Sequence, residues 1–325
     1  MDLNTINLKV GLYRFGLVAN QKVVFQSFSG SAWRGLFGHA LRKAVCVTKM
    51  PDCGGCLLID SCAYAYLFET APHANADRMR RYSTIPHPFV IKNSPSNQTV
   101  KVGEPFEFDI LLIGKANLYL PYLIQTFLHA GEMGIGPDKS KFNLLEVKYR
   151  PDMVDEKWAP IWKVKQDRLE RYAPKSLIAP MLGVNKVVLI TFKTPIRVVE
   201  NGKIITARQL RFSHIYKSLS RRISMLAYFH EDNDFNIDYK KTLAMSEQVI
   251  THRDSLESAN WKRYSSRQNK KISVDGVTGE MEFDLTDFES LWPILWLGQF
   301  THVGKATSMG LGEYQIDRLA SLSAR

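Results

Sequence analysis

The chain has 325 residues, 45% of them hydrophobic and 23% charged, proportions that fit a globular protein and exclude disorder. Its 43 Lys+Arg against 32 Asp+Glu leave a formal charge of +11, which favours a polyanionic partner because each neutralised phosphate releases condensed counterions. Apolar runs such as residues 187–192 are too short for a membrane span, and the start Met1-Asp2-Leu3-Asn4 has neither a basic lead nor an apolar core. The expectation is a soluble, cytoplasmic protein with no membrane partner.

Residues 8–18, rich in aliphatic and aromatic side chains, predict a strand. Gly30-Ser31 can cap a helix beginning near Ala32, in which Trp33, Leu36, Phe37, Ala40, Leu41, Ala44 and Val45 share one apolar face. A cysteine-bearing insertion follows, then a Pro- and Asn-containing stretch at 86–102 that reads as loop or edge strand. A buried strand at 106–113, a helix at 118–130 ended by Gly131 and a strand at 142–149 complete the first round.

Residues 158–182 are irregular in pattern and read as a link. The order then recurs. A strand at 186–192 continues past Pro195, and a helix follows with Phe212, Ile215, Leu219, Ile223 and Leu226 as its stripe, opposite Lys217, Arg221 and Arg222. Then come a hairpin at 272–285 around Gly276 and Gly279, a helix at 291–299, a glycine-rich segment at 302–312 and a closing strand at 314–316. The predicted fold class is α+β, with two tandem ferredoxin-like domains. The first is residues 1–180, carrying the cysteine insertion at about 44–90, and the second is residues 181–325, carrying the glycine-rich loop.

The glycine-rich segment runs from His302 through Gly304, Lys305 and Gly310 to Gly312. A nucleotide-binding P-loop needs strand, glycine loop and then Lys-Ser/Thr opening a helix. Here the segment follows a helix and precedes a strand, so a small-molecule nucleotide is a poor fit. Glycines so spaced let backbone N–H groups approach a phosphodiester chain, with Lys305 adding charge; an unliganded connection has the same appearance. The preceding run tips the balance. Lys262, Arg263, Arg267, Lys270 and Lys271 lie among Trp261 and Tyr264, offering cations for phosphates and rings for unpaired bases.

The series Trp261, Arg263, Ser265, Arg267-Gln268, then Gly276 and Gly279, then His302-Val303-Gly304-Lys305 and Gly310-Leu311-Gly312-Glu313-Tyr314 resembles the CRISPR-associated pre-crRNA processing endoribonucleases of the RAMP superfamily. Gly30-Ser31-Ala32-Trp33-Arg34-Gly35 with Gly38-His39-Ala40-Leu41-Arg42 is similar to that family's first helix. Gly114, Pro121-Tyr122-Leu123-Ile124 and Gly134-Ile135-Gly136 resemble its second helix and exit, and Thr194-Pro195 its entry to the second domain. The resemblance implies RRM-like folds, binding of CRISPR repeat RNA, and metal-independent cleavage inside repeats. Mature guide RNAs would then carry 5′-OH and 2′,3′-cyclic or 3′-phosphate ends. The alternative is a catalytically silent RAMP-type subunit that holds CRISPR RNA beside other effector subunits. Arg34 and Arg42, with Lys262, Arg263, Arg267, Lys270, Gly304, Lys305, Gly310 and Gly312, are the candidate RNA contacts.

Metal-independent cleavage needs a base for the ribose 2′-OH, an acid for the leaving 5′-oxygen and positive charge at the phosphorus. Among eight histidines, His39 lies off the apolar face of the first helix, beside Arg42 and one turn before Lys43. Those cations favour its neutral form, and Lys43 could steady the phosphate. The resemblance also places a catalytic histidine in this helix. Tyr13 is a third candidate and His302 the runner-up, either facing phosphate or capping the preceding helix.

All four cysteines, Cys46, Cys53, Cys56 and Cys62, fall in one short run. A cytoplasmic setting argues against disulfides. The Cys53-Gly54-Gly55-Cys56 knuckle points to a structural Zn²⁺ held by four thiolates, with an iron–sulfur cluster as the other use of the same ligands. No cofactor is expected for the cleavage chemistry.

Overall fold

The computed structural model describes residues 7–25, 28–72, 85–92, 94–153, 155–166, 168–233, 237–265 and 270–318. An N-terminal unit comprises Lys9–Lys175 with Phe229–Glu231, and a C-terminal unit is built mainly on Ser176–Tyr228 and Asp232–Arg325. No helix among the described residues is long and apolar enough to cross a membrane.

In the N-terminal unit the elements are β1 (Asn7–Ala19), β2 (Val23–Phe25), α1 (Gly30–Val45), β3 (Phe89–Lys92), β4 (Gln98–Val100), β5 (Pro105–Ile113), α2 (Leu120–Met133), β6 (Phe142–Arg150) and β7 (Ala159–Lys163). The main sheet runs β3-β5-β1-β6-β7, antiparallel throughout, while β2 and β4 form a separate ladder. Tyr13, Phe15 and Leu17 alternate along β1 and are fully buried, the period-2 signature of a half-covered strand. Phe15 lies opposite Phe108 of β5, their rings stacked at 5.3 Å. Trp33 of α1 stacks on Phe108 at 4.3 Å, and Phe127 of α2 packs on Phe15 at 5.0 Å. Each such ring contributes about 2–3 kcal/mol by leaving water, and together they fix both helices to the sheet.

The stripe of α1 is buried through Leu41. Ala44 is exposed and Val45 half-buried, so the apolar face ends where the basic last turn begins. Helix α2 runs past Gly131 to Met133. A Cβ at Gly131 would stand 1.8 Å from the Phe142 carbonyl oxygen, so this glycine serves close packing rather than termination. The stop is Gly134, at φ +76°.

From the boundary strand β8 (Lys175–Ile178), the C-terminal unit continues with β9 (Val187–Ile196), the short hairpin β10 (Val199–Glu200) and β11 (Lys203–Ile204), α3 (Phe212–His230) and α4 (Tyr239–Gln248). Then follow β12 (Thr251–Asp254), β13 (Glu257–Ser265), β14 (Lys270–Asp284), α5 (Trp292–Thr301) and β15 (Tyr314–Arg318). The sheet order is β12-β14-β9-β15, with β13 also on β14. In the N-terminal unit β1 lies between β5 and β6, and in the C-terminal unit β9 lies in the same way between β14 and β15.

Other expectations need correcting here: residues 158–182, read as an irregular link, contain the strands β7 and β8, and β7 extends the main sheet on β6. The hairpin expected around Gly276 and Gly279 is instead the interior of β14, whose hairpin partner is β13. These glycines permit close backbone approach: a Cβ at Gly276 would lie 2.8 Å from Ile196 O, and one at Gly279, φ +112°, 2.1 Å from Ser255 O. The β9–β14 register shifts between Val277 and Gly279, a bulge. Arg222, expected on the polar face of α3, is buried, its Nε donating to the Thr301 carbonyl at 2.8 Å. That oxygen ends α5, where a cation complements the helix dipole.

Candidate functional site

Helix α1 carries the most direct candidate for chemistry. His39 and Lys43 are both exposed and lie one helical turn apart, so imidazole and ammonium share a solvent-facing strip. Neighbouring Gly38 lets the helix close on Phe68, whose ring edge would meet a Cβ at 2.8 Å. The packed side of α1 therefore leaves His39 facing outward.

Other residues expected beside it are committed elsewhere. Tyr13 is fully buried, its hydroxyl donating to Asn117 Oδ1 at 2.8 Å, and burial drives its pKa far above that of a free phenol. It cannot serve as the third catalytic member in this arrangement, because it is part of the sheet's core. Arg42 donates to the carbonyls of Met50 and Pro51 and covers the Tyr64 ring, so it fastens the cysteine-bearing segment to α1. Arg34 is half-buried over Phe68, with Nη2 2.9 Å from His87 Nε2. His87 Nδ1 lies 3.2 Å from Thr70 Oγ1, which donates to Ile85 O. An arginine can only donate, so Nε2 accepts and Nδ1–H points to Thr70. Nothing in the sequence marked this chain of bonds, since His87 lies in a loop far from Arg34.

In the C-terminal unit, residues 302–313 fold in on themselves. His302, expected to face phosphate, is fully buried, with Nδ1 3.1 Å from Leu311 O and Nε2 4.0 Å from Glu313 Oε1. It does cap α5, at φ +62°. The glycines are demanded by the chain itself: a Cβ would stand 2.4 Å from Arg197 O at Gly304 and 1.9 Å from Val303 O at Gly312. Both have positive φ, as does Gly310.

Three of the backbone N–H groups expected to cradle phosphate are already used. Lys305 N donates to Arg197 O, Gly310 N to Thr307 O and Gly312 N to Pro195 O. The Thr194 hydroxyl joins the segment's later turns, donating to Gly310 O and accepting from Glu313 N. Lys305 is the one exposed residue of the stretch. The segment thus presents one exposed cation, and the amides of Lys305, Gly310 and Gly312 are taken up by carbonyls of the protein itself.

Lys262 and Arg263 lie in β13 and Lys270 opens β14, with Ser265 opposite Lys270, while Arg267 lies outside the described residues. Of the remaining described histidines, His230 is buried between Tyr66 and Pro86 O, and His214 lies 3.7 Å from Glu200. His129 on α2 and His252 on β12 are exposed, and His129 has no lysine or arginine three or four residues away on its helix, as His39 has.

Cys46, Cys53, Cys56 and Cys62 are half-buried free thiols. All four line one cavity of about 600 Å³ in the N-terminal unit, together with Tyr64 and His129. Among the described residues no three Cys, His, Asp or Glu side chains stand close enough to hold a metal ion. The closed four-thiolate site expected from the spacing is therefore not assembled in this geometry, although its four donors share one space.

Comparison with known proteins bears on both halves. A family described as an N-terminal domain, AF_1859_N, matches residues 8–174, and the family described as CRISPR-associated endoribonuclease Cas6 matches residues 190–314. An uncharacterized Archaeoglobus fulgidus protein is 24% identical over 299 residues, spanning 89% of this chain and 91% of its own length. Among solved structures, a Cas6 product complex aligns with TM-score 0.55 at 15% identity, covering 95% of this chain and 100% of that one. Thermus thermophilus Cas6 aligns with TM-score 0.52 at 14% identity, covering 95% and 99%. At these identities the structural likeness is one of fold.

Proposed function

We propose that this chain, whose residues 190–314 match the family of CRISPR-associated endoribonuclease Cas6 and whose fold is like that of Cas6 structures, cuts CRISPR precursor RNA within repeats by metal-independent attack of a ribose 2′-OH. Each unit is taken as a ferredoxin-like, RRM-like module. The 2′-oxygen attacks the adjacent phosphorus, and the bond to the departing 5′-oxygen breaks. A 2′,3′-cyclic phosphate and a 5′-OH result. The reaction needs one group to take the 2′ proton and one to protonate the leaving oxygen. His39, exposed on α1, can take either part, and Lys43 one turn later can neutralise charge gathering on the phosphorane oxygens. The observation that carries this reading is the outward-facing His39–Lys43 pair on a helix pinned by Trp33 and Phe37.

Incubation of the purified chain with repeat RNA in EDTA, followed by end-group analysis, tests it. The expected products carry 5′-OH and cyclic phosphate, and His39→Ala should slow cutting about 10²–10⁴-fold. An intact substrate in EDTA sinks the metal-independent mechanism, and a wild-type rate for His39→Ala removes His39 from it. The burial of Tyr13 and His302 favours one other reading, a subunit that binds CRISPR RNA without cutting it. Tight binding with no product under any condition would establish that reading instead.

A further inference from the structure

The segment between α1 and the π-helical turn Ala65–Glu69 poses a physical problem. Residues 46–62 contain turns and bends but no helix or strand. Leu57 is 98% exposed and Val47 78%, so the segment buries little of its own apolar surface. A stretch this short, with so little buried, needs another source of cohesion. All four cysteines are half-buried and line one common cavity, and none is paired in a disulfide.

No three of these thiols stand within metal-binding distance of one another, but parts of the surrounding backbone are already turned toward a shared centre. Cys46 is the C-cap of α1, with its N–H on Arg42 O. Cys56 N donates to Cys53 O at 3.2 Å, and Gly55 between them sits at φ +75°, forming a tight knuckle. Thr48 Oγ1 lies 3.6 Å from Cys56 Sγ and 4.0 Å from Cys46 Sγ, so one small hydroxyl already links two of the four sulfurs. The Arg42 guanidinium, bonded to the carbonyls of Met50 and Pro51, draws the segment back onto the helix. That cation stands where it would offset the net negative charge of four thiolates around a divalent ion.

We propose that Cys46, Cys53, Cys56 and Cys62 close around a single thiophilic divalent cation, Zn²⁺, which supplies the core that residues 46–62 lack. Four thiolates fill a tetrahedral shell and leave no position for water, so the ion is structural. It also fixes the end of α1, because Cys46 follows Lys43 within one turn. This inference does not rest on RNA cleavage. It stands or falls on metal content.

The test uses the full chain purified without chelator. Elemental analysis should find about one zinc per chain, lost in the Cys53→Ser/Cys56→Ser double variant. Cobalt added to zinc-depleted wild-type chain should give tetrahedral d–d bands and intense thiolate-to-cobalt absorption, a readout independent of whether the variant folds. Trypsin should cut at Lys49 faster once zinc is removed. Zinc no higher than in the double variant, together with no thiolate–cobalt absorption in wild type, overturns the proposal. Bound iron with acid-labile sulfide overturns it equally, by assigning the thiols to a cluster.

Discussion

Lys305 is exposed while its own N–H donates to Arg197 O and the Ala306 carbonyl accepts from Met309 N, so its side chain springs from a tethered backbone. A tethered backbone spares the loop-ordering part of the binding cost and leaves only the rotamer freedom of the lysine side chain to be lost. Lys305→Ala should weaken repeat-RNA binding and reduce the slope of log K against log salt by roughly 0.7–0.9, the release expected for one phosphate contact. An unchanged slope would take residues 302–312 off the RNA interface. His302 behaves oppositely. Its imidazole is buried against Leu311 O, so His302→Ala should lower stability by about 1–3 kcal/mol. The cutting rate of the molecules that remain folded should stay at the wild-type value. A selective loss of rate with an unchanged melting temperature would return His302 to the catalytic group.

At the scale of elements, the glycines of the C-terminal unit decide where strands can lie. Gly312 is at φ +77°, and its absent Cβ would fall 1.9 Å from Val303 O. Gly312→Ala therefore combines backbone strain with a collision against main chain and should cost about 3 kcal/mol or more. Thermal melting checks this, and a loss below about 0.5 kcal/mol would show that the loop can relax. These glycines were visible in the sequence, but their purpose was not. What demands Gly304 is the Arg197 backbone, and what demands Gly279 is Ser255, both remote in the chain. Helix α1 was legible because its signal is local. Trp33, Leu36, Phe37, Ala40 and Leu41 repeat at the helical period and are all buried, and His39 off that stripe is exposed. Tyr13 was misjudged for the converse reason: Asn117, which takes its hydroxyl, lies beyond any local pattern.

At the scale of the molecule, both units bury tyrosine hydroxyls, and this sets an upper pH limit on folding. Tyr13 lies in the N-terminal unit and Tyr216 and Tyr314 in the C-terminal one, all essentially inaccessible. Burial pushes the phenol of Tyr216 up to about 12 and raises those of Tyr13 and Tyr314 further. Below a pH of about 10 these groups are neutral in folded and unfolded chain alike and leave stability unchanged. Above it the unfolded chain releases protons that the folded chain keeps, so each contributes a loss of about 1.4 kcal/mol per pH unit. Tyr216 ceases to add to the loss near 12, where its folded form also ionises. Circular dichroism should therefore show cooperative unfolding beginning at a pH of roughly 10–11. Tyr13→Phe keeps the ring in the core and removes one titrating group, so it should flatten the alkaline fall while sacrificing the bond to Asn117 at neutral pH. An alkaline profile identical to wild type for Tyr13→Phe, Tyr216→Phe and Tyr314→Phe alike would mean that lysine neutralisation, acting on a chain of charge +11, sets the limit instead.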